Sequence, residues 1–443
     1  MELRDFIVTP LLLVIIALVA FYIRPYLADQ ITRKYFFPAL AFKIVGAIAL
    51  GLLYQYYYDG GDTYNFHTRG SRHIWEAFMN SPLAGLKLLL GSKDQVDIYQ
   101  YSSRIPFYYD STSFFVIRVA AIFDLITFSS YSGTSILFSL VSFAGAWALF
   151  YTFYQRYPTL HFSISLCTLF VPSVIFWGSG ILKDTLVMAC LGLATYAIDK
   201  LFIQGKRDWR AVVLLILSFY VVIHVKLFVL QAFIPAVLCW IFFNRISAIR
   251  SLFLKILIYP ASLSLIVLLG YLSIREIGER DARYSIKNMA RTAKITAYDI
   301  GFYSGRNAGS GYSLGELDGT FSSMLIKTPA AINVTLFRPY LWEVKNPLML
   351  FSALEAAVMF FLFSYVLIKS GHRIISVLSN PDFIFAFMFS ITIAFAVGIT
   401  SYNFGTLARY KIPLIPYFTF ALVLLGNPKA IKNFVDSPQL KID

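Results

Sequence analysis

Long blocks of apolar residues constrain the fold of this 443-residue chain more than any other feature. The blocks run for about 17 to 24 residues, the length an α-helix needs to cross a hydrocarbon layer of ~30 Å. Hydrophobic residues make up 58% of the chain and charged residues only 14%. The sequence therefore predicts an all-α polytopic membrane protein that forms a single transmembrane domain over residues 1–443.

About 11 transmembrane helices are predicted, and the first is expected to be retained because no small-residue cleavage site follows it. The predicted spans are 6–23, 35–58, 133–154, 160–176, 181–199, 211–224, 227–243, 256–274, 348–368, 383–400 and 412–425. A further apolar stretch, 113–128, is short and carries Arg118 and Asp124. If it crossed, the basic loops 199–210 and 244–255 would face outward, so an interfacial or re-entrant helix is predicted there.

The net charge of +14 comes from basic residues scattered among short loops. This distribution is typical of the positive-inside rule and disfavours nucleic acid as a partner. The rule predicts an external N-terminus, an internal C-terminus and two long external segments, 59–112 and 275–346. The first has the apolar spacing of juxtamembrane helices. The second is rich in glycine and is predicted to be a lid.

Two carboxylates follow the second apolar block in Asp59-Gly60-Gly61-Asp62-Thr63-Tyr64. Ionised side chains are costly in hydrocarbon, so both are expected to face the interface or a wet cavity. Asp62 there suits a general base that acts on a lipid-borne substrate, and Asp59 could orient it or cap the interface. The alternative is that both carboxylates simply end a helix through glycine-rich turn chemistry.

Basic residues that could hold a phosphate lie near the predicted outer face. Lys183, beside Asp184, follows one span, and His224 and Lys226 lie between two others. For Lys183 and Asp184, the alternative is a local ion pair in a tight turn.

Arg338 and Arg409 can grip a phosphate bidentately. Their alternative role is anchoring to lipid phosphates, with Tyr340, Trp342 and Tyr410 as an aromatic belt.

The remaining polar residues predict little further chemistry. His67 could join Asp59 and Asp62 at a metal, but five histidines without paired ligand spacing make a divalent metal an unfavoured prediction. Cys167, Cys190 and Cys239 lie in predicted spans without CxxC spacing, so neither disulfides nor zinc are indicated. Within the spans, Lys43 is expected to snorkel, whereas Glu355 could pair across helices or line a cavity.

Three motifs resemble those of the GT-C superfamily of membrane glycosyltransferases, which includes protein O-mannosyltransferases and aminoarabinose transferases. They are Gly61-Asp62-Thr63-Tyr64-Asn65-Phe66-His67, the segment 172–184 with its proline-bearing span end and polar turn, and Arg409-Tyr410-Lys411 with Pro413 and Pro416. One departure is the additional helix at 6–23, because the family usually places its first-loop Asp after the first span.

The resemblance implies a GT-C-like fold and an inverting transfer of sugar from a polyprenyl-phosphate or diphosphate carrier. It also implies a bacterial inner membrane, with the site facing the periplasm or exterior. Asp62 and Asp59 would be the catalytic residues. Substrate or phosphate contacts would come from Lys183, Asp184, His224, Lys226, Arg338, Arg409, Lys411, Tyr64 and His67. The expected partners are membrane lipids, the lipid-linked sugar donor and an acceptor of unknown identity.

Two other functions fit parts of this pattern. An O-antigen or exopolysaccharide polymerase would rely on Arg338 and Arg409 rather than on an acid. A lipid or solute transporter would place charged residues along a path through the spans. No internal repeat is evident in the sequence, which disfavours a transporter built from inverted halves.

Overall fold

A computed structural model describes residues 2–91, 96–247, 275, 290–295, 298–299, 310–315, 318–371, 374, 377 and 379–429. Within these residues the fold is α-helical and contains no β-strand, although Gly311 and Asn403 form one isolated antiparallel bridge. The all-α prediction is therefore confirmed for this part of the chain. The predicted span 256–274 lies outside the described residues, as do positions 301–309 of the predicted lid.

The α-helices range in length from 4 residues (Tyr99–Ser102) to 26 residues (Tyr131–Arg156). In chain order they are α1 (Leu3–Leu27), α2 (Arg33–Tyr56), α3 (Asp62–Phe66), α4 (Arg72–Asn80), α5 (Pro82–Leu90), α6 (Tyr99–Ser102), α7 (Ser111–Thr127), α8 (Tyr131–Arg156), α9 (His161–Leu169), α10 (Pro172–Trp177), α11 (Lys183–Ile198), α12 (Trp209–Val225), α13 (Leu227–Ser247), α14 (Phe321–Ile326), α15 (Thr328–Phe337), α16 (Pro347–Ser370), α17 (Pro381–Ser401), α18 (Phe404–Tyr410) and α19 (Ile415–Gly426). Single π-helical turns span His67–Ser71 and Asp199–Ile203.

Seven described helices are long and apolar enough to cross a membrane, and each overlaps one of the predicted spans. They are Leu3–Leu27, Arg33–Tyr56, Tyr131–Arg156, Lys183–Ile203, Leu227–Ile246, Pro347–Ser370 and Pro381–Ser401. The predicted span 211–224 is the 17-residue helix α12. Two of the predicted spans, 160–176 and 412–425, are broken helices, and the number of eleven spans stays a prediction.

Both breaks coincide with prolines. The predicted span 160–176 divides into α9 and α10, with Pro172 opening the second helix. The predicted span 412–425 is the end of a bent pair, α18 and α19, whose axes differ by 69°. Proline lacks a backbone N–H and its ring clashes with the preceding turn, so a helix that reaches it stops or kinks. Pro413 lies in that second break, and Pro416 begins the next helix.

Apolar side chains on several helices lie open to the surroundings. Phe6, Phe21 and Phe361 each expose about two thirds of their surface (67%, 68% and 68%). Water would make such continuous apolar surfaces costly at roughly 25 cal/mol per Å², whereas lipid tails solvate them. Together with the seven long apolar helices, these surfaces define an integral membrane protein.

The chain divides into two compact units. The first comprises Met1–Tyr151, Val174–Tyr196 and Val212–Lys226, and the second comprises Thr152–Ser173, Ala197–Ala211 and Leu227–Asp443. The single transmembrane domain predicted from the sequence stays a prediction.

In the first unit, glycines let helices α8 and α11 approach to backbone contact. A Cβ atom at Gly145 would lie 2.3 Å from the carbonyl oxygen of Ala189, and one at Gly192 would lie 2.0 Å from that of Gly145. Neither position could hold a larger residue without separating the helices. Small residues drive helix association in lipid in this way, because close packing replaces the hydrophobic effect.

The prediction for Lys43 is wrong, because its side chain does not snorkel to the interface. Its side chain is 1% exposed, and Nζ donates to Ser142 Oγ at 2.9 Å and to the carbonyl oxygens of Val174 and Gly178, each at 3.1 Å. Three acceptors satisfy all three donors of the ammonium group. The snorkelling prediction was wrong because these acceptors lie on distant helices that sequence position does not reveal.

The polar residues of α7 are also explained by packing in the first unit. Arg118 donates to the carbonyl oxygens of Leu88 and Gly91, at 3.0 and 2.6 Å. Asp124 is fully buried and accepts hydrogen bonds from Ser71 and Thr134, at 2.6 and 2.5 Å. Whether α7 lies at the interface or re-enters the membrane stays a prediction.

In the second unit, a buried ion cluster joins four segments of the chain. Arg156 bonds Asp382 at 2.7 Å and Asp199 at 3.0 Å, and all three side chains are at most 7% exposed. Tyr157 and Trp240 donate to the same Asp382 carboxylate, at 2.6 and 2.7 Å. Asp382 therefore accepts hydrogen bonds from Arg156, Tyr157 and Trp240 and has a second ion-pair contact with Arg156.

Part of the segment 275–346, predicted to be external, is held against the second unit. The backbone N–H of Tyr312 donates to Tyr402 O at 3.1 Å, and that of Phe404 donates to Ser310 O at 2.8 Å. The Tyr312 hydroxyl donates to Gly398 O at 2.9 Å. These bonds fix residues 310–314 on the turn between α17 and α18.

We expect Asp382→Asn to destabilise the protein strongly, because it leaves the Arg156 charge buried with one carboxylate fewer. Breaking a buried pair costs about 3 to 5 kcal/mol. Thermal unfolding of the purified protein in one detergent would measure the change. Asp208→Asn is the matched control, since its partner Lys200 is a quarter exposed and such pairs contribute little. Equal transitions for the two variants would contradict the structural role assigned to Asp382.

Candidate functional site

The Asp59–Asp62 segment forms a tight reversal between α2 and α3. Asp59, Gly60 and Gly61 all have positive φ angles, of 51°, 119° and 109°. The backbone N–H of Gly60 donates to Tyr54 O at 2.8 Å, and a Cβ at Gly61 would lie 3.0 Å from the Tyr54 ring. Glycine tolerates these conformations without steric penalty. The turn chemistry predicted as an alternative is therefore present.

That turn gives its two carboxylates different environments. Asp59 is exposed, whereas Asp62 is half-buried in the first turn of α3. A carboxylate in this position faces the positive end of the helix dipole, which stabilises its charge. Turn chemistry explains Asp59 and the two glycines, but it does not require an acid at position 62.

Lys183, the first residue of α11, lies within electrostatic range of this carboxylate. Its charge interacts with those of Asp62, Asp110 and Lys226. The Lys183 Nζ donates to Thr112 Oγ1 at 2.6 Å and lies 3.6 Å from Asp110 Oδ2. The start of α3, the start of α7 and the start of α11 therefore bring charged groups to one place in the first unit.

Asp110 was not predicted to be a site residue, although the sequence around it has the pattern of a helix N-terminus. It precedes α7 as an N-cap and accepts from Thr112 N at 3.1 Å and from Ser113 Oγ at 2.5 Å. Asp followed by Ser and Thr before an apolar stretch is typical of a helix start. Burial raises the pKa of the Asp110 carboxyl, but the hydrogen bonds and the Lys183 charge outweigh it and lower the pKa to about 2. The carboxylate thus stabilises the fold above its usual pKa, and that contribution is lost as pH falls towards about 2.

Lys226 and Asp184 form a second, more intimate pair in the same unit. Their Nζ and Oδ1 atoms lie 2.5 Å apart, and the side chains are 7% and 0% exposed. Asp184 thus bonds a residue 42 positions away, so a purely local Lys183–Asp184 pair does not account for it. We call Asp62, Asp110, Lys183, Asp184 and Lys226 the acid–lysine cluster. Its three carboxylates and two ammonium groups give a formal net charge of −1 when all are ionised.

Two predicted substrate residues of α3 and its π turn are instead packed into the first unit. Tyr64 stacks on Tyr131 with ring centroids 4.3 Å apart, and burial raises the pKa of its hydroxyl to about 12. His67 is fully buried, with Nε2 3.2 Å from Asp124 Oδ1. A substrate cannot touch His67 in this conformation.

His224, by contrast, is exposed at the end of α12. It lies against the Phe115 ring at 5.3 Å. Its side chain is open to a ligand, so its predicted substrate role stays a prediction.

Arg338, in the second unit, already interacts with a carboxylate and with aromatic rings of the protein. It forms an ion pair with Glu343, and its guanidinium lies 5.4 to 5.8 Å from the ring centroids of Tyr312, Tyr340 and Phe404. The hydrogen bond to Glu343 raises the pKa of the guanidinium above its usual value. A phosphate at Arg338 would have to compete with this carboxylate.

The third motif belongs to the bend between α18 and α19 of the second unit. Arg409 is half-buried there, whereas Lys411 is 4% exposed and interacts with the charge of Glu355. Glu355 accepts a hydrogen bond from the backbone N–H of Ser173 at 3.0 Å. Of the two roles predicted for Glu355, the structure therefore supports pairing across helices.

Among the described residues, no group of three or more His, Cys, Asp or Glu side chains is arranged to hold a metal ion. No protein-family model, curated protein or solved structure matches the chain. Its class is therefore defined by its own helices as that of a helical integral membrane protein.

We expect Asp184→Asn and Lys226→Gln each to destabilise the first unit, because each leaves a buried charge without its partner. The double variant should recover part of the loss, since removing both charges avoids that penalty. Thermal unfolding of the two single variants and the double variant measures the coupling. Additive effects would show that the two side chains do not interact in the folded protein.

Proposed function

We propose that the protein is a membrane glycosyltransferase that takes a sugar from a polyprenyl-phosphate or diphosphate carrier, with the acid–lysine cluster as its active site. A GT-C-like fold and an active site on the external face are part of this proposal. The observation that carries it is that Lys183 Nζ, 3.6 Å from Asp110 Oδ2, also lies within electrostatic range of Asp62, a carboxylate 121 positions away in the sequence.

The reaction needs one group to take a proton and another to receive negative charge. An acceptor hydroxyl oxygen attacks the anomeric carbon while its proton passes to the Asp62 carboxylate. The bond from that carbon to the phosphate oxygen breaks, and its electron pair leaves with the phosphate. Attack from the face opposite the leaving group inverts the anomeric carbon. A positioned base contributes typically ~10²- to 10⁴-fold to such a step.

Lys183 is the member of the cluster best suited to the phosphate. Its ion pair with Asp110 is loose, at 3.6 Å, and the Asp110 side chain is 46% exposed. The Lys226–Asp184 pair is short and buried, so that cation is already neutralised. A phosphate can displace the Asp110 carboxylate from Lys183 at a smaller desolvation cost than it can displace Asp184 from Lys226.

The polymerase alternative depends on arginines, and the contacts of Arg338 speak against it. Its Glu343 partner and three aromatic rings leave the guanidinium less able to grip a diphosphate. Cells that carry Arg338→Ala would show shortened glycan chains if the protein were a polymerase. The transferase proposal predicts instead that Asp62 variants lack one particular sugar.

We expect Asp62→Asn to lower sugar transfer by about 100-fold or more, because the amide cannot accept the proton. The assay is mass spectrometry of envelope glycans and lipids from cells in which the variant replaces the native gene. Asp97→Asn is the matched control, since Asp97 is an exposed carboxylate of the same external segment. Full transfer by a folded Asp62→Asn protein would remove Asp62 from the mechanism.

We expect Lys183→Gln to lower the transfer rate by about 100-fold, since it removes one fixed charge facing the leaving phosphate. Lys183→Arg should retain part of the rate because the positive charge remains. Lys87→Gln removes a lysine of the first unit that is 34% exposed and paired with Asp97, and it serves as the control. A normal rate in Lys183→Gln, with an unchanged unfolding transition, would exclude this role.

A further inference from the structure

A concave site lies in the first unit, on α4 and α6. It is a cavity of about 350 Å³, within the range of small-ligand sites. Its walls include Trp75 and Tyr101, and Gln100 and Asn80 border it. The Arg4 guanidinium lies 5.7 Å from the Trp75 ring centroid and supports that ring. None of the acid–lysine cluster residues lines this cavity.

The walls of the cavity are held in place by a hydrogen bond between two lining residues and by the buried opposite face of α4. Tyr101 is 7% exposed, and its hydroxyl accepts a hydrogen bond from Asn80 Nδ2 at 3.1 Å. On the opposite face of α4, Ile74 and Ala77 are fully buried. The aromatic walls are therefore fixed before a ligand arrives, which lowers the entropy cost of binding.

The lining chemistry favours a neutral, polyhydroxylated ligand. Gln100 and Asn80 offer amide donors and acceptors, which match hydroxyl groups. Glu76 and Arg104 supply one charge of each sign, and Glu76 already bonds His73 at 3.0 Å. One arginine opposed by a carboxylate is poorly suited to a phosphate. Indole and phenol rings stack against the C–H faces of sugar rings, and their polar tips hydrogen-bond.

The position of the cavity relative to Asp62 constrains the length of such a ligand. α3, the π turn His67–Ser71 and α4 follow one another without a break. At 1.5 Å per residue, Trp75 lies about 20 Å along this helical path from Asp62. One sugar could not fill the cavity and also reach Asp62, whereas a chain of several sugars could.

We propose that this cavity binds one segment of a neutral glycan chain. That this glycan is the acceptor, with its terminal hydroxyl at Asp62, rests on the proposed function. The binding itself does not depend on transfer, so the two claims can fail separately.

The test is binding of neutral oligosaccharides to the full chain in phosphatidylcholine nanodiscs. The probes are hexasaccharides of the malto, cello and chito series, measured by saturation-transfer NMR, with O-phosphoethanolamine and inorganic phosphate as charged competitors. We expect at least one hexasaccharide to bind more tightly than its monosaccharide. Trp75→Ala should weaken that binding by about tenfold. Gln100→Ala, at an exposed position, should weaken it without affecting folding.

Two controls are needed. One tests whether the cavity rather than the neighbouring surface binds the glycan, and the other tests whether binding and transfer are independent. Tyr99→Ala removes a neighbouring tyrosine that is 67% exposed and outside the cavity, and should bind normally. The second control is the transfer assay of Asp62→Asn. Unchanged transfer in Asp62→Asn, together with oligosaccharide binding by the native protein, would overturn the proposed function but not this site. The glycan site would be overturned if none of the three series bound. It would also be overturned if neither cavity variant changed the binding, or if O-phosphoethanolamine displaced the oligosaccharide.

Discussion

The cost of burying a charge in a low-dielectric interior is the constraint on which the rest of this structure depends. An isolated ion there costs several kcal/mol even after the protein relaxes. Three buried cations meet that cost in different ways. Lys43 has three oxygen acceptors, Lys226 has one close carboxylate, and Arg156 has two carboxylates in a larger network. Each of these sets of contacts connects segments that are distant in sequence, so the buried charges hold helices in fixed positions relative to one another.

The same constraint separates charged residues that stabilise the fold from those that can bind a charged substrate. Cations that are fully paired and buried cannot exchange partners without paying the desolvation cost again. Lys183 differs because its partner Asp110 is loosely held and nearly half exposed. Asp62 is half-buried at a helix start rather than enclosed. In a membrane protein, the place where pairing is loose and water can enter is the place where a charged substrate can bind.

The sequence predicted those features that depend on local composition. Seven spans could be found because lipid requires a long apolar run wherever a helix crosses. The reversal at Gly60 and Gly61 could be found because positive φ angles favour glycine. The partners of buried charges could not be found, since Arg156 bonds a residue 226 positions away and no local pattern marks that pairing. Lys43 was mispredicted for the same reason.

The π turn between α3 and α4 links the two candidate sites physically. A π turn inserts one extra residue, so it shifts the register of every side chain that follows. At this turn the His67 side chain is buried and its Nε2 atom contacts the Asp124 carboxylate. The Ser71 hydroxyl donates a hydrogen bond to the same carboxylate. The buried pairing with α7 fixes the direction in which α4 leaves the turn. The orientation of Trp75 relative to Asp62 is therefore set by Asp124, a residue that belongs to neither site.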